Sequence, residues 1–561
     1  MQRGTPDTLV LLSRAFAHQQ AGKLAEAEAD YAQVLARDPN DATALVNGGA
    51  VALARGDLAT ALARFERAVR RLPANAAARA NLGYALIHAG RDAEALAALD
   101  DAIALAPNHA QAHNNRGIAL ARLRRGAEAI AAFERALALD PRNVEAAQNL
   151  GEQLNAAGDG ARAAAAFERV LALQPQNATA ASGRAFAQAL QGDLKGAEAA
   201  LAALARANPQ HAPAWQTLGA VRQWAWDHAG AESAFRRALA VAPQSRDAQF
   251  GVAASLLARG DYAAGWAAFE QRPDRAAEAG AAFAALAPWD GGTWPGTLVV
   301  YGEQGFGDVI QFARFLAKAR ERVGRLVLLL DGYRAPLAPL LAGAAGTDAV
   351  ITDPAQVPYG PDTVRISLLS LPFHLGAERT ALAAARYLAP PAPQAQAWQE
   401  RMAACPAPRV GLAWSVLTRD AHAFVARHKS VPPSALAPLL AHRGVSFVNL
   451  QPGAAGDPAA FGRDAARIVD VRPHLRDFAE TAALLETLDL VIAPDTAVAH
   501  LAAALGKPVW MLDRFNACWR WRTDGEASPW YPSLRIFRQP WLSDWASVSA
   551  RVQEAFAARY P

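Results

Sequence analysis

The sequence predicts an α superhelix of stacked helical hairpins, followed by an α/β region of two parallel domains in tandem. Three observations carry that prediction. A proline returns every 34 residues, at Pro39, Pro73, Pro107, Pro141, Pro175, Pro209 and Pro243. The same register holds small residues at Ala27, Ala61, Ala95, Ala129, Ala163, Ala197 and Ala231, and large rings at Tyr31, Phe65, Phe133, Phe167 and Phe235. After Pro273 the register is gone, and beyond Gly296 short aliphatic runs alternate with helix-length segments.

The 34-residue unit is tetratricopeptide-like, a helix–turn–helix that buries its apolar face only by stacking on its neighbours. Glycines fall in phase at Gly49, Gly83, Gly117, Gly151 and Gly219, where the two helices of a hairpin must approach closely. A worn last copy ends at Phe269 and Pro273, so about eight repeats fill residues 6–273. Such a stack curls into a superhelix whose concave wall holds extended peptides. A second periodicity runs inside the first: Asn47, Asn81, Asn115 and Asn149 are also 34 apart, each two residues before an in-phase glycine. A column of amides on the first helices, each offering donor and acceptor, suits clamping a peptide backbone. The alternative is that each asparagine bonds the neighbouring repeat. The column breaks at Gly183 and resumes as Thr217.

A chain of 561 residues with 52% apolar and 19% charged content has room for several packed domains. No apolar run is long enough to cross a bilayer, and the stretch from Met1 to Phe16 lacks the pattern of a secretory signal, so a cytoplasmic protein without membrane insertion is expected. Cys405 and Cys518 are the only cysteines, too few for a disulfide framework or a zinc quartet. A net charge of +4 without a lysine or arginine block argues against nucleic acid as a partner and leaves small anions open.

After Pro273 a linker is expected over residues 274–296, closing with the Trp289, Gly291, Gly292, Trp294, Pro295 and Gly296 cluster. The first α/β domain, 297–395, reads as strands at Thr297–Tyr301, Arg325–Leu330, Ala349–Ile351 and Val364–Leu368, with the break at Pro390–Pro393. The second, 396–561, reads as strands at Val410–Trp414, Phe447–Leu450, Leu490–Ile492 and Val509–Leu512, with a C-terminal helix. Ligands of open parallel sheets bind beyond the carboxyl ends of the strands, so the loops after Tyr301, Trp414, Leu450 and Ala493 are the expected site.

Three of those loops carry chemistry. Gly302-Glu303-Gln304-Gly305-Phe306-Gly307-Asp308 puts an aspartate at a helix start, where it serves a ligand or simply caps the helix. It has neither the Gly-Lys-Ser/Thr of a Walker loop nor dinucleotide glycine spacing. Asp495-Thr496 begins an Ala-rich helix ended by Gly506, with His500 on its first turns, and the free amides of such a start favour phosphate. The loop from Trp414 to Ser430 holds Arg419, Asp420, His422, Arg427, His428, Lys429 and Ser430, cations suited to a phosphate or carboxylate unless they are merely solvated. Trp519-Arg520-Trp521 and Pro529-Trp530-Tyr531-Pro532 would either wall a sugar or base or pack a domain edge.

The glycine loop, together with Asp495-Thr496-Ala497-Val498-Ala499-His500 and Gly506-Lys507-Pro508-Val509-Trp510, resembles the heptosyltransferase-like glycosyltransferases of GT-B fold, a pair of Rossmann-like domains. With the repeats ahead of it, the chain looks like the bacterial TPR-plus-glycosyltransferase proteins, which include flagellin glycosyltransferases and share the layout of O-GlcNAc transferase. The resemblance implies Asp308 as general base on the acceptor hydroxyl, with Gly305 and Gly307 letting the loop close on the donor. It implies Trp414, Lys429, Ser430, Asp495, Thr496 and His500 as donor contacts, and Asn47, Asn81, Asn115 and Asn149 as acceptor contacts. The run Ala426-Arg427-His428-Lys429-Ser430 departs from the Asp-Arg-x-Arg-Ser pattern of relatives, which bears on donor identity. As a whole the resemblance implies a metal-independent, inverting protein O-glycosyltransferase. Such an enzyme needs no cofactor beyond a nucleotide-sugar co-substrate, and its acceptor is a protein on the concave face, flagellin with a CMP-linked nonulosonic acid being the narrowest form. The rivals are a scaffold with a degenerate transferase half and a lipopolysaccharide-type sugar transferase.

Overall fold

The computed structural model describes residues 6–272, 276–344, 346–378, 382–383, 385–416, 428–453, 456–521 and 525–561. Arg419, Asp420, His422, Arg427 and Pro273, named above, lie outside the described residues. The chain forms two compact units, one of Met1–Gln191 and one of Gly192–Thr418 with Ala423–Pro561.

In the first unit the helices run from Pro6–Gln20 to Ala178–Leu190, and in the second the repeats continue from Leu194–Ala207 to Tyr262–Phe269. The in-phase glycines are where the sequence demands them. A Cβ on Gly117 would stand 2.5 Å from the Phe133 ring, and one on Gly49 2.7 Å from Phe65. In these hairpins the ring of the second helix thus presses directly on the glycine of the first. The prolines have a partner that sequence did not reveal. Their carbonyls accept hydrogen bonds from the side chain six residues on: Arg79 to Pro73, His113 to Pro107, Trp215 to Pro209 and Gln249 to Pro243. Four chemically different side chains therefore cap the same inter-repeat turn, so the turn and not the residue type is fixed. Helix starts are capped by Asp41, Asn75, Asn143 and Asn177, whose oxygens take the amide three residues on.

The rest of the second unit holds two parallel sheets. The first, in the order β1-β5-β2-β3-β4, contains β1 (Ala287–Pro288), β2 (Trp294–Tyr301), β3 (Val323–Leu329), β4 (Ala349–Ile351) and β5 (Thr363–Ser367). The second, in the order β11-β10-β9-β6-β7-β8, contains β6 (Arg409–Leu412), β7 (Ser446–Asn449), β8 (Ile468–Val469), β9 (Leu490–Pro494), β10 (Val509–Asp513) and β11 (Leu534–Arg538). The order reverses between β2 and β5 in one sheet and between β9 and β6 in the other, and these are the switch points where such sheets take ligands.

Three boundaries differ from the sequence reading. The stretch read as linker supplies β1 and the start of β2, because Ala287 and Pro288 pair with Val364 and Arg365. The division at 395/396 cuts the helix Ala392–Met402; a proline in its first turn starts this helix instead of ending one, and Trp398 Nε1 donates to Glu480 at 2.7 Å. Finally, β6 stops at Leu412, since the amides of Trp414 and Ser415 turn to the Gln451 side chain at 3.1 and 2.8 Å.

The last hairpin is built into this core. Trp266 packs edge-on against Phe312 at 6.1 Å, Trp519 at 5.7 Å and Trp530 at 6.4 Å, rings contributed by both halves of the α/β region. Its Nε1 donates to the Ala377 carbonyl at 3.0 Å.

Candidate functional site

The loops at the two switch points meet. Asp308 lies in the first turn of the helix Phe306–Phe312, which follows β2, and its Oδ2 accepts the Gly305 amide at 3.0 Å. That is the capping role the sequence allowed. Its other oxygen, Oδ1, accepts from Arg520 Nη2 at 2.6 Å, and Arg520 comes from the loop after β10. One carboxylate therefore ties the first sheet to the second. Burial opposes the charge on Arg520, and Asp308, followed by Cys518 and Asp495, outweighs it and holds the guanidinium above its ordinary range. Its Nη1 reaches the Cys518 sulfur at 3.2 Å, while its buried Nε has no protein partner.

Gly307 sits against the second sheet's helix Ala497–Ala504: a Cβ there would stand 2.9 Å from His500 Cδ2. The loop closes on this imidazole, and that approach is what excludes a side chain. His500 is buried. Its Nδ1 lies 3.0 Å from the Tyr531 hydroxyl, and its Nε2 lies 3.4 Å from Asp495 Oδ1. Burial, with Tyr387, pushes Tyr531 well above the ordinary phenol range despite Arg314, so its hydroxyl keeps its proton at neutral pH.

Asp495, at the carboxyl end of β9, also accepts from Lys429 Nζ at 2.6 Å. Burial would raise this acid, but Lys429 and His500 outweigh it and hold it well below the usual carboxylate range. The cation read as free for a donor is thus neutralised by the neighbouring loop. Thr496 occupies the N-cap position of Ala497–Ala504 without capping it, because its hydroxyl donates to the Pro494 carbonyl at 3.1 Å. Thr496 thus leaves the amides of that first turn uncapped by its own side chain. Ser430 Oγ accepts the Val416 amide at 3.0 Å, which closes the base of the loop after β6.

Two expectations shift in detail. Trp414 is buried in the second sheet's core with its ring edge-on to Phe461 at 5.0 Å, so it offers a donor no face. Trp519, Trp521, Trp530 and Tyr531 are likewise buried, which makes that aromatic cluster packing. The asparagine column is not uniform. Asn47, Asn81 and Asn149 are half-buried and Asn115 is buried. Gln111 donates to Asn115 at 3.1 Å, and Asn149 donates to Asn114 of the preceding repeat at 3.2 Å.

Sequence reasoning missed Arg520, Gln304 and Arg272. Gln304 adopts φ 58°, a left-handed conformation that costs a non-glycine residue about 1–3 kcal/mol and collects at functional sites. Its carbonyl is held by the Tyr333 hydroxyl and by Arg334 Nε. Arg272, just past the last hairpin, donates to Glu303 at 2.6 Å and Ser370 at 2.7 Å, so it grips the loops after both β2 and β5. Among the described residues no group of three His, Cys, Asp or Glu side chains is gathered as a metal site, and no helix is long and apolar enough to cross a membrane.

Comparison with known proteins matches the two ends of the chain to different families. Tetratricopeptide repeat models match residues 12–63 and 93–144, and 52–116 and 154–221. Residues 459–537 match glycosyltransferase family 9 (heptosyltransferase), a stretch that includes Asp495, Thr496, His500 and Arg520. Protein FlbA of Caulobacter vibrioides is 30% identical over 329 residues, which is 55% of this chain and 54% of FlbA, so the chain spans about half the length of that relative. Among solved structures, a tetratricopeptide repeat protein from Parabacteroides merdae covers 45% of this chain and 100% of its own at 17% identity and TM-score 0.37. PilW, a type IV pilus biogenesis factor, covers 36% and 94% at 22% identity and TM-score 0.34.

Proposed function

From a chain that joins tetratricopeptide repeats to a heptosyltransferase-like family 9 segment, we propose a protein O-glycosyltransferase of GT-B architecture, working by inversion and without a metal. One observation carries the reading: Asp308 of the first sheet and Arg520 of the second form an ion pair beside the Asp495–Lys429–His500 cluster, at the strand ends where two such sheets take a shared ligand. A nucleotide sugar seats its phosphate at the uncapped amides beyond Thr496, with Lys429 and Arg520 as the cations in reach. The acceptor hydroxyl oxygen bonds to the anomeric carbon as the bond to the nucleotide phosphate breaks, and the proton passes to the Asp308 carboxylate. Gly305 and Gly307 keep that loop slim enough for the approach. The acceptor is a protein held along the repeats by the column Asn47, Asn81, Asn115 and Asn149, of which Asn47 and Asn149 also bond the preceding repeat through Tyr31 and Asn114. Flagellin carrying a nonulosonic acid from a CMP donor is the narrow form of this reading.

The test offers the full chain a panel of CMP-, UDP-, GDP- and ADP-linked sugars and measures nucleotide release, then compares flagellin masses between a strain lacking the gene and its parent. Release from one donor class with a lighter flagellin in the mutant is expected. The match to a heptosyltransferase family supports a second reading, a sugar transferase of the lipopolysaccharide type. Unchanged protein masses with a truncated lipopolysaccharide would establish it, and no release from any donor would end both.

A further inference from the structure

A cavity of about 210 Å³ opens between the last helical hairpin and the loop after β2. Its floor is apolar. Phe250 and Phe269 stand with ring centroids 6.2 Å apart, Phe269 buried and Phe250 50% exposed. Arg246, Phe250 and Ala253 follow one face of the helix Arg246–Ala258, so the exposed ring points along the cavity and not into the stack. The opposite wall is Glu303 and Gln304, the latter held left-handed four residues before Asp308. The cavity therefore borders the same strained loop that carries the candidate base, at the first sheet's switch point.

Charge decides what fits. Arg272 lines the cavity, but its Nε is taken by Glu303 at 2.6 Å, its Nη1 by Glu270 at 2.7 Å and its Nη2 by Ser370 at 2.7 Å, while the guanidinium covers the Phe269 ring at 4.7 Å. At the rim Arg246 stands next to Asp247. The lining thus carries two arginines, Arg246 and Arg272, and two carboxylates, Asp247 and Glu303, so a phosphate or a nucleotide finds no net positive charge here. The volume is below the roughly 300–1,000 Å³ of pockets that enclose whole small ligands, and suits one large side chain.

We infer that this cavity seats one apolar side chain of an extended acceptor segment, a few residues from the hydroxyl presented to Asp308, and so makes the last repeat a determinant of acceptor choice. This rests on the transferase reading for its purpose, though not for its measurement. An array of synthetic decapeptides with a central serine, each flanking position scanned through Leu, Phe, Lys and Glu, is probed with the full chain. Wild type is expected to prefer Leu or Phe at one fixed offset from the serine by tenfold or more. Phe250→Asp and Phe250→Ser should abolish that preference and Phe250→Leu should keep it, with melting temperatures verifying that all are folded; the half-exposed ring tolerates change. No positional preference in wild type, or one that survives in Phe250→Asp, overturns the inference. Nucleotide release by wild type, measured in parallel, separates the two claims. Peptide selection without release overturns the transferase reading alone, and release without selection overturns the cavity alone.

Discussion

Asp308 is a counterion to Arg520 in the structure and the general base of the proposed reaction, and mutation of its partner separates the two. Side-chain exposure is 12% for Arg520 and 22% for Asp308, so the pair is mostly out of water. Removing one member of a fully buried pair costs about 3–5 kcal/mol, because the survivor's charge is left uncompensated. With this residual exposure, the cost falls to about 2–3 kcal/mol. Asp308→Asn keeps an oxygen for the Gly305 amide but strands a guanidinium whose Nε is already unpartnered. Arg520→Met strands the carboxylate. The double variant Asp308→Asn/Arg520→Met strands neither, so its stability in urea should return most of the way to wild type, with a coupling of about 2 kcal/mol. The rate should behave otherwise. Loss of a general base costs about two orders of magnitude, or about 2.7 kcal/mol of barrier, and no neutral partner restores it. Transfer should thus be down about 100-fold in Asp308→Asn and at least as far in the double variant, which also lacks the Arg520 cation proposed for the donor, while stability recovers only in the latter. A double variant that regains near-normal turnover would refute the base assignment and leave Asp308 a clamp. Singles as stable as wild type would refute the ion pair as a structural bond.

Two further outcomes rest on the geometry. Gly117→Ala forces a Cβ to 2.5 Å from Phe133 and should lower stability by about 1–3 kcal/mol in urea titration, whereas Gly126→Ala, whose Cβ would have nothing nearer than Gln153 at 3.9 Å, should be neutral or slightly stabilising. Asp495 is held well below its unfolded value, so its contribution to stability is full above about pH 4 and is lost as pH falls through the folded value; in Lys429→Met the largest opponent of burial is gone, His500 alone remains, and that contribution shrinks. The unfolding free energies of the two proteins from urea titration should differ by about 3 kcal/mol near neutrality and draw together as pH falls below about 4, and a difference independent of pH would contradict the pairing.

The repeats were legible because each constraint recurs. A glycine facing a ring is ambiguous once, but at Gly49, Gly117, Gly151 and Gly219 it fixes which helices touch. The long strands were legible as aliphatic runs. Those that were missed had no such run: β1 and β8 are two residues each, and β11 interrupts its apolar residues with Arg535 and Arg538. Trp414 was misplaced for a related reason, since a tryptophan at a strand end reads the same whether its ring turns inward or out. Here Gln451 ends the ladder and the ring turns inward to Phe461.

The site itself was half legible, and the missing half is physical. Sequence places Asp308, Lys429, Asp495 and His500 in the right loops because a charged residue after an aliphatic run stands at a strand's carboxyl end. It does not give the partners. Arg520 lies 212 residues from Asp308, between two tryptophans that make it look like packing, and only the approach of the sheets through Gly307 makes it a counterion. Lys429 reads as an unpaired cation until β9 delivers Asp495 to 2.6 Å. The cations reserved for an anionic donor are thus already held by carboxylates of this chain. On the proposed transferase reading, a donor phosphate entering here would meet pairs and would exchange with Asp308 or Asp495 for the cation it needs, freeing a carboxylate for the acceptor hydroxyl.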